Sequence, residues 1–199
     1  MKKPIIAVDV DDVLAAEAEF VIAYCNEVWG LDLTLEDYSE AWNTMWQVDV
    51  AELERRAAEL HQPGIVSKYR LLADSHTVLK KLSDSYELIV VTSRRKVVEG
   101  ETKAWLDTHF PGIFSKVVLT GFWDNPEVVD RHLLSKGSLL RDHEASYLID
   151  DQPKHCLSAV EHGVQAILFG DYAENRSVTI PTGVTRCNDW QAVGEYFGV

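Results

Sequence analysis

Short apolar runs recur along the chain, each far below the length a membrane-spanning helix requires. Ile5–Val8, Leu88–Val91, Val117–Leu119, Tyr147–Ile149 and Ala166–Phe169 are aliphatic or β-branched at most positions. That is the pattern of strands buried on both faces. Between them, apolar positions recur with helical spacing. Asp74 can cap a helix carrying Val78, Leu79 and Leu82, and Thr102–His109 reads as the next helix, stopping before Pro111. Lys136–Arg141, Lys154–Glu161 and a last helix after Asn188 complete the set. Strands alternating with helices predict an α/β fold with a parallel sheet covered on both sides. Ala173 to Arg186 reads as a surface loop.

One interval breaks the rhythm. Asp9 and Thr92 stand 83 residues apart, whereas a βαβ unit needs only about 30. The excess, residues 15–72, reads as a helical module inserted after the first strand, leaving 1–14 and 73–199 as the main domain. Ala15–Trp29 forms one helix ending at Gly30. Thr34 and Asp37 resemble a capping box opening a second helix that carries Tyr38, Trp42 and Trp46. Asp49 with Glu52 opens a third, through Leu60, before Pro63-Gly64.

Composition narrows the function. With 19 Lys and Arg against 32 Asp and Glu, the net charge is −13. Attraction to a nucleic acid polymer or an anionic membrane is therefore not expected. Cys25, Cys156 and Cys187 are odd in number, widely spaced and without a CxxC pair. They form neither a disulfide framework nor a zinc site, and a reducing cytoplasm is the expected setting.

The candidate chemistry lies at the strand ends, where open parallel sheets bind ligands. The first strand runs into Asp9-Val10-Asp11-Asp12, the second into Thr92-Ser93-Arg94-Arg95, and the fourth into Asp150-Asp151. Lys136 precedes the last pair by 14 residues. Up to five carboxylates can converge there and cannot all stay ionised without a cation. Oxygen ligands of this kind suit Mg²⁺, usually completed by water and a substrate phosphate. One aspartate can attack phosphorus while the other protonates the leaving oxygen and then activates water.

These motifs resemble, over essentially the whole length, the haloacid dehalogenase superfamily of aspartate-nucleophile phosphatases: Asp9-Val10-Asp11, Thr92, Lys136 and Asp150-Asp151 stand in its order. Val91-Thr92-Ser93-Arg94 and Leu148 to His155 are similar to its 5'(3')-deoxyribonucleotidase-like branch. The resemblance implies a Rossmann-like sheet with a small helical (C1-type) cap, and a Mg²⁺-dependent phosphomonoesterase acting on (deoxy)nucleoside monophosphates. It implies Asp9 as nucleophile and Asp11 as acid and base, with Thr92, Ser93 and Lys136 on the phosphate. The implied Mg²⁺ ligands are the Asp9 carboxylate, the Asp11 carbonyl and Asp151, with Asp150 as alternate or supporting ligand. Asp12 stands where many members have glycine.

Two other substrates remain open: sugar phosphates or other small metabolites, and a phosphoprotein, bound with or without turnover. Alone, Lys136 also fits an exposed lysine, and Arg94 with Arg95 a solvated pair within reach of a phosphate. Tyr38, Trp42 and Trp46, four residues apart, form either a packing face or, with Phe20, a wall for stacking a planar base.

Overall fold

The computed structural model describes residues 2–124 and 134–199. Among them, six strands form one parallel sheet in the order β3-β2-β1-β4-β5-β6. These are β1 (Ile5–Val8), β2 (Glu87–Thr92), β3 (Lys116–Leu119), β4 (Ala145–Asp150), β5 (Gln165–Phe169) and β6 (Val184–Cys187). Every side chain of β1 is buried. Its alternate residues serve two cores: Ile6 and Val8 join one cluster, Ile5 and Ala7 the other. This is why the strand reads as an unbroken apolar run.

Helices fill both faces. α4 (Ser75–Leu82), α5 (Glu99–His109) and α8 (Trp190–Phe197) bring Leu79, Trp105 and Trp190 to the first cluster. α6 (Gly137–Asp142) and α7 (Pro153–Glu161) bring Leu140, Cys156 and Ala159 to the second. The strand order places a topological switch between β1 and β4, where a crevice opens beyond the strand ends. No helix among the described residues is long and apolar enough to cross a membrane.

The insert after β1 contains α1 (Glu17–Trp29), α2 (Trp42–Trp46) and α3 (Val50–Leu60). Their shared core holds Val21, Ile22, Cys25, Met45, Trp46 and Leu60. Asp49 caps α3 by accepting from the Glu52 N–H at 2.9 Å. Thr34 and Asp37 do form a capping box, but it opens only a single 3₁₀ turn, Leu35–Asp37. The chain then turns extended at Tyr38, and α2 starts at Trp42. The continuous second helix is therefore replaced by a break, which has a tertiary cause. Glu174 accepts from the Ser39 hydroxyl at 2.7 Å and the Glu40 N–H at 3.3 Å, drawing this segment toward the main domain.

The expected loop from Ala173 to Arg186 is also corrected. Val184–Cys187 pairs with β5 as the sheet's sixth strand. Only Val184 and Cys187 of its four residues are buried, so the apolar signal is too short to read.

Candidate active site

Strand pairing assembles the site. Val8 lies opposite Ile149, and the Asp9 N–H donates to the Ile149 carbonyl at 2.9 Å. The residues at the two strand ends, Asp9 after β1, Asp150 closing β4 and Asp151 next to it, are thereby neighbours. Carboxylate oxygens of Asp9, Asp150 and Asp151 all lie within 4.8 Å of one another, and all three residues are buried. Lys136 enters from the N-terminal end of α6. Its side chain is 0% exposed, with Nζ 2.9 Å from Asp9 Oδ1 and 2.8 Å from Asp150 Oδ2. Gly137 permits this approach. A Cβ there would stand 2.3 Å from Ser158 Oγ and 2.5 Å from the Ser158 carbonyl, so only glycine lets α6 pack so closely on α7.

Burial pushes the Asp9 carboxyl up to about 7, with Lys136 opposing and Asp150 and Asp11 adding to the rise. Burial, then Asp150 and Asp9, hold Asp151 well above the carboxylate range. Burial raises Asp150 too, against Lys136. Burial alone would lower Lys136, but Asp150 and Asp9 outweigh it and hold the ammonium above its ordinary value.

The donor set fits a small hard cation. Asp9 Oδ1 is buried, and its partner is the Lys136 ammonium 2.9 Å away. Both Asp150 oxygens are engaged, Oδ2 by Lys136 and Oδ1 by the Gln152 N–H at 3.0 Å. Asp151 lines the cavity. Asp9 and Asp151 therefore face the open space, and Asp150 backs them.

Asp11 lies within a tight turn in which the Leu14 and Ala15 N–H groups return to the Val10 carbonyl. Its carboxylate stands apart from the trio. Arg94 Nε lies 3.0 Å from both of its oxygens, and Nη2 lies 2.6 Å from Oδ1. Asp12 adopts φ 53, a left-handed conformation in which aspartate is enriched among non-glycine residues. Its carboxylate turns to α1, accepting from the Ala18 N–H at 3.1 Å, and Tyr172 donates its hydroxyl to the Asp12 carbonyl at 2.7 Å.

These groups open on a cavity of about 530 Å³. Asp9, Asp11, Ser93, Arg94, Asp151 and Gln152 line it from the main domain. Tyr38, Glu40, Trp42, Asn43 and Val48 line it from the insert, joined by Val50, Leu53, Glu54 and Ala57 on one face of α3. Thr92 is fully buried behind this wall, its hydroxyl oxygen accepting from the Arg94 N–H at 3.3 Å.

The aromatic residues divide. Trp42 and Tyr38 line the cavity, whereas Phe20 and Trp46 do not. Phe20 packs on Tyr24 and Tyr69, with ring centroids 5.9 and 5.1 Å away. Trp46 is enclosed within the insert, 5.2 Å from Trp29 and 5.0 Å from Trp42. A stacking wall built on Phe20 and Trp46 is thus corrected: α1 and α2 turn both rings inward to the apolar core.

Sequence reasoning placed one side chain wrongly here and gave two others no role. Arg94 is buried on Asp11 rather than solvated. Glu17 lines the cavity and accepts from the Tyr38 hydroxyl. His155 Nε2 lies 3.2 Å from Ser93 Oγ; burial, then Lys136 and Lys154, push its pKa well down. Only Arg94 had a sequence signal, its place two residues after Thr92.

A buried lysine bridging acidic strand ends, beneath a helical insert after the first strand, defines a haloacid dehalogenase-like hydrolase. Solved structures agree in fold. A haloacid dehalogenase-like family protein from Streptococcus pneumoniae superposes with TM-score 0.70 at 15% identity over 98% of each chain. YfnB from Bacillus subtilis, solved bound to magnesium, gives 0.63 at 11% identity over 100% of each chain. Within that class, the family model "5' nucleotidase, deoxy (Pyrimidine), cytosolic type C protein" matches residues 3–197, and the chain belongs to this family. It is also 26% identical over 183 residues to "Putative nucleotidase BH1399" of Halalkalibacterium halodurans, covering 92% of this chain and 86% of that relative. The protein is thus a nucleotidase-family enzyme.

Proposed function

We propose that the chain is a Mg²⁺-dependent phosphomonoesterase that hydrolyses deoxynucleoside monophosphates through an aspartyl-phosphate on Asp9. The observation that carries this reading is the buried trio Asp9, Asp150 and Asp151 paired with Lys136 at a cavity that Trp42 and Tyr38 also line. The cavity's volume is within the roughly 300–1,000 Å³ range of small-molecule sites.

In this reading Asp9 attacks phosphorus as Asp11 gives a proton to the leaving oxygen, and the ester P–O bond breaks to release the nucleoside. Asp11 then takes a proton from the water that attacks the aspartyl-phosphate, and phosphate departs with Asp9 restored. Ser93, on the cavity wall, donates its hydroxyl proton to a phosphoryl oxygen, Thr92 supports this loop from behind through the Arg94 N–H, and Lys136 offsets the charge beside them. The Asp9 and Asp151 carboxylates and the Asp11 carbonyl, with Asp150 in support, would hold Mg²⁺, which when bound would supply the positive charge that lets a phosphate dianion approach. Residues 15–72 act as the cap, placing Trp42 beside the base. Three buried, unpaired cysteines accord with a cytosolic setting.

The test is a panel of deoxynucleoside monophosphates, sugar phosphates, an aryl phosphate and a phosphopeptide, each with Mg²⁺ and with excess chelator. Nucleotides should lead, and chelator should abolish turnover. Equal or better turnover of sugar phosphates would replace the substrate reading, and full activity in chelator would remove the metal. A rapid quench of Asp9→Asn should trap no labelled phosphoryl-enzyme; a trapped species would move the nucleophile elsewhere.

A further inference from the structure

We propose that Arg94 is the positioning residue for Asp11, and that α5 together with Tyr69 of the insert holds Arg94 for that task. The inference rests on the reading of Asp11 as the group that protonates the leaving oxygen.

Arg94 is gripped on three sides. Nε and Nη2 fork onto the Asp11 carboxylate. Nη1 donates to Thr102 Oγ1 at 3.0 Å. The guanidinium carbon stands 5.2 Å from the centre of the Tyr69 ring, a cation–π contact. Tyr69 is itself pinned, because Trp105 Nε1 donates to its carbonyl at 3.1 Å. Thr102 and Trp105 are three residues apart on α5, hence on one face of that helix. Both are buried, as are Tyr69 and Arg94.

Asp11 lies on a turn beyond the strand end, and its carboxylate has two rotatable bonds. A planar fork fixes a carboxylate in plane and direction, which a lysine's point charge does not. Stability alone does not account for the arrangement, since a buried ion pair is often no more stabilising than an apolar pair of similar volume. What the fork supplies is direction at the cavity wall, where misplacing a reacting group by an ångström can cost roughly a hundredfold in rate.

The experiment compares kcat/KM for a deoxynucleoside 5'-monophosphate and for 4-nitrophenyl phosphate in saturating Mg²⁺. This ratio reports events up to departure of the alcohol, so hydrolysis of the intermediate, common to both esters, does not enter. An alkoxide leaves poorly without a proton, whereas nitrophenolate leaves well without one. Asp11→Asn is the reference and should lower the nucleotide value by roughly 10²–10⁴-fold, with much less effect on the aryl ester. Arg94→Lys and Arg94→Ala should show the same selectivity at roughly a hundredfold, and Thr102→Val a smaller loss of the same kind. Arg94→Lys added to Asp11→Asn should cost little more, because the two act as a unit. If Arg94→Ala does not fold, Arg94→Lys and Thr102→Val carry the test. Equal losses on both esters in the Arg94 variants, with Asp11→Asn selective, would overturn the inference and leave the reading of Asp11 intact. An unselective Asp11→Asn would overturn that reading, and the positioning role with it.

Discussion

Lys136→Met tests the electrostatics of the site without any assumption about substrate. The change keeps a long side chain but removes the ammonium 2.9 Å from Asp9 and 2.8 Å from Asp150, in a position with no exposed surface. Removing one partner from a buried ion pair costs about 3–5 kcal/mol. Two acids share this ammonium, and they can limit the penalty by taking up a proton. Asp9 is already raised to about 7 by burial, with Lys136 the main group opposing the rise. Without it, the folded variant holds a proton on the trio at pH values where the unfolded chain, with its ordinary aspartates, does not. The folded state then binds more protons than the unfolded, so stability falls as pH rises, by about 1.4 kcal/mol per unit for each extra proton. For a domain of this size, about 2–4 °C accompanies each kcal/mol. The expected loss of melting temperature is therefore roughly 6–20 °C, larger at pH 8 than at pH 6. The assay is thermal unfolding in chelator at both pH values, repeated with excess Mg²⁺, which should recover part of the loss. A change within about 0.5 kcal/mol at both pH values, as for an ordinary surface lysine, would refute the compensating role.

Two further outcomes distinguish parts of the site. Trp42→Ala should lower kcat/KM for a nucleotide by roughly ten- to a hundredfold, the worth of one stacked base, and spare a small aryl phosphate. Trp46→Ala, in the core of the insert, should instead cost about 3–5 kcal/mol of stability and weaken all substrates together; the opposite assignment would mean the two rings had been read the wrong way round. In chelator, wild-type stability should fall between about pH 5 and 8, since the raised acids Asp9 and Asp12, up to about 7 and 8 through burial, hold protons in the folded state that the unfolded chain has released. Mg²⁺ should flatten the part due to Asp9 but not that of Asp12, whose carboxylate faces α1; a melting temperature that rises across this range would contradict the burial of both.

What was legible in the sequence is what neighbouring strands or helical turns decide locally. Ile5–Val8 is apolar because both of its faces are covered, and the acids after it sit at the carboxyl end because a parallel sheet puts them there. Lys136 could be linked to Asp150 because α6 joins their segments in one short connection. Tyr38 has the right spacing for a helix with Trp42. The break between them comes from Glu174, 134 residues beyond Glu40, and no local pattern reports such a partner. Phe20 and Trp46 fail for a related reason: an aromatic on an amphipathic helix faces whichever apolar surface is larger, and here that is the core.

The sharpest limit is the pair Arg94-Arg95, two identical residues in sequence that the fold treats oppositely. Arg94 is buried in the cavity wall, 83 residues from the Asp11 it grips. Arg95 remains partly exposed and reaches Glu54 of α3 at 3.4 Å. A partly exposed pair such as Arg95 with Glu54 contributes little to stability, about 0–1 kcal/mol, but it joins the main domain to the insert across the cavity lining. Burial, which the chain assigns through Tyr69, Thr102 and Trp105, separates a guanidinium that fixes a carboxylate from one that pairs with the insert. The difference between the two arginines therefore belongs to α5 and the returning end of the insert, not to the Thr-Ser-Arg-Arg motif.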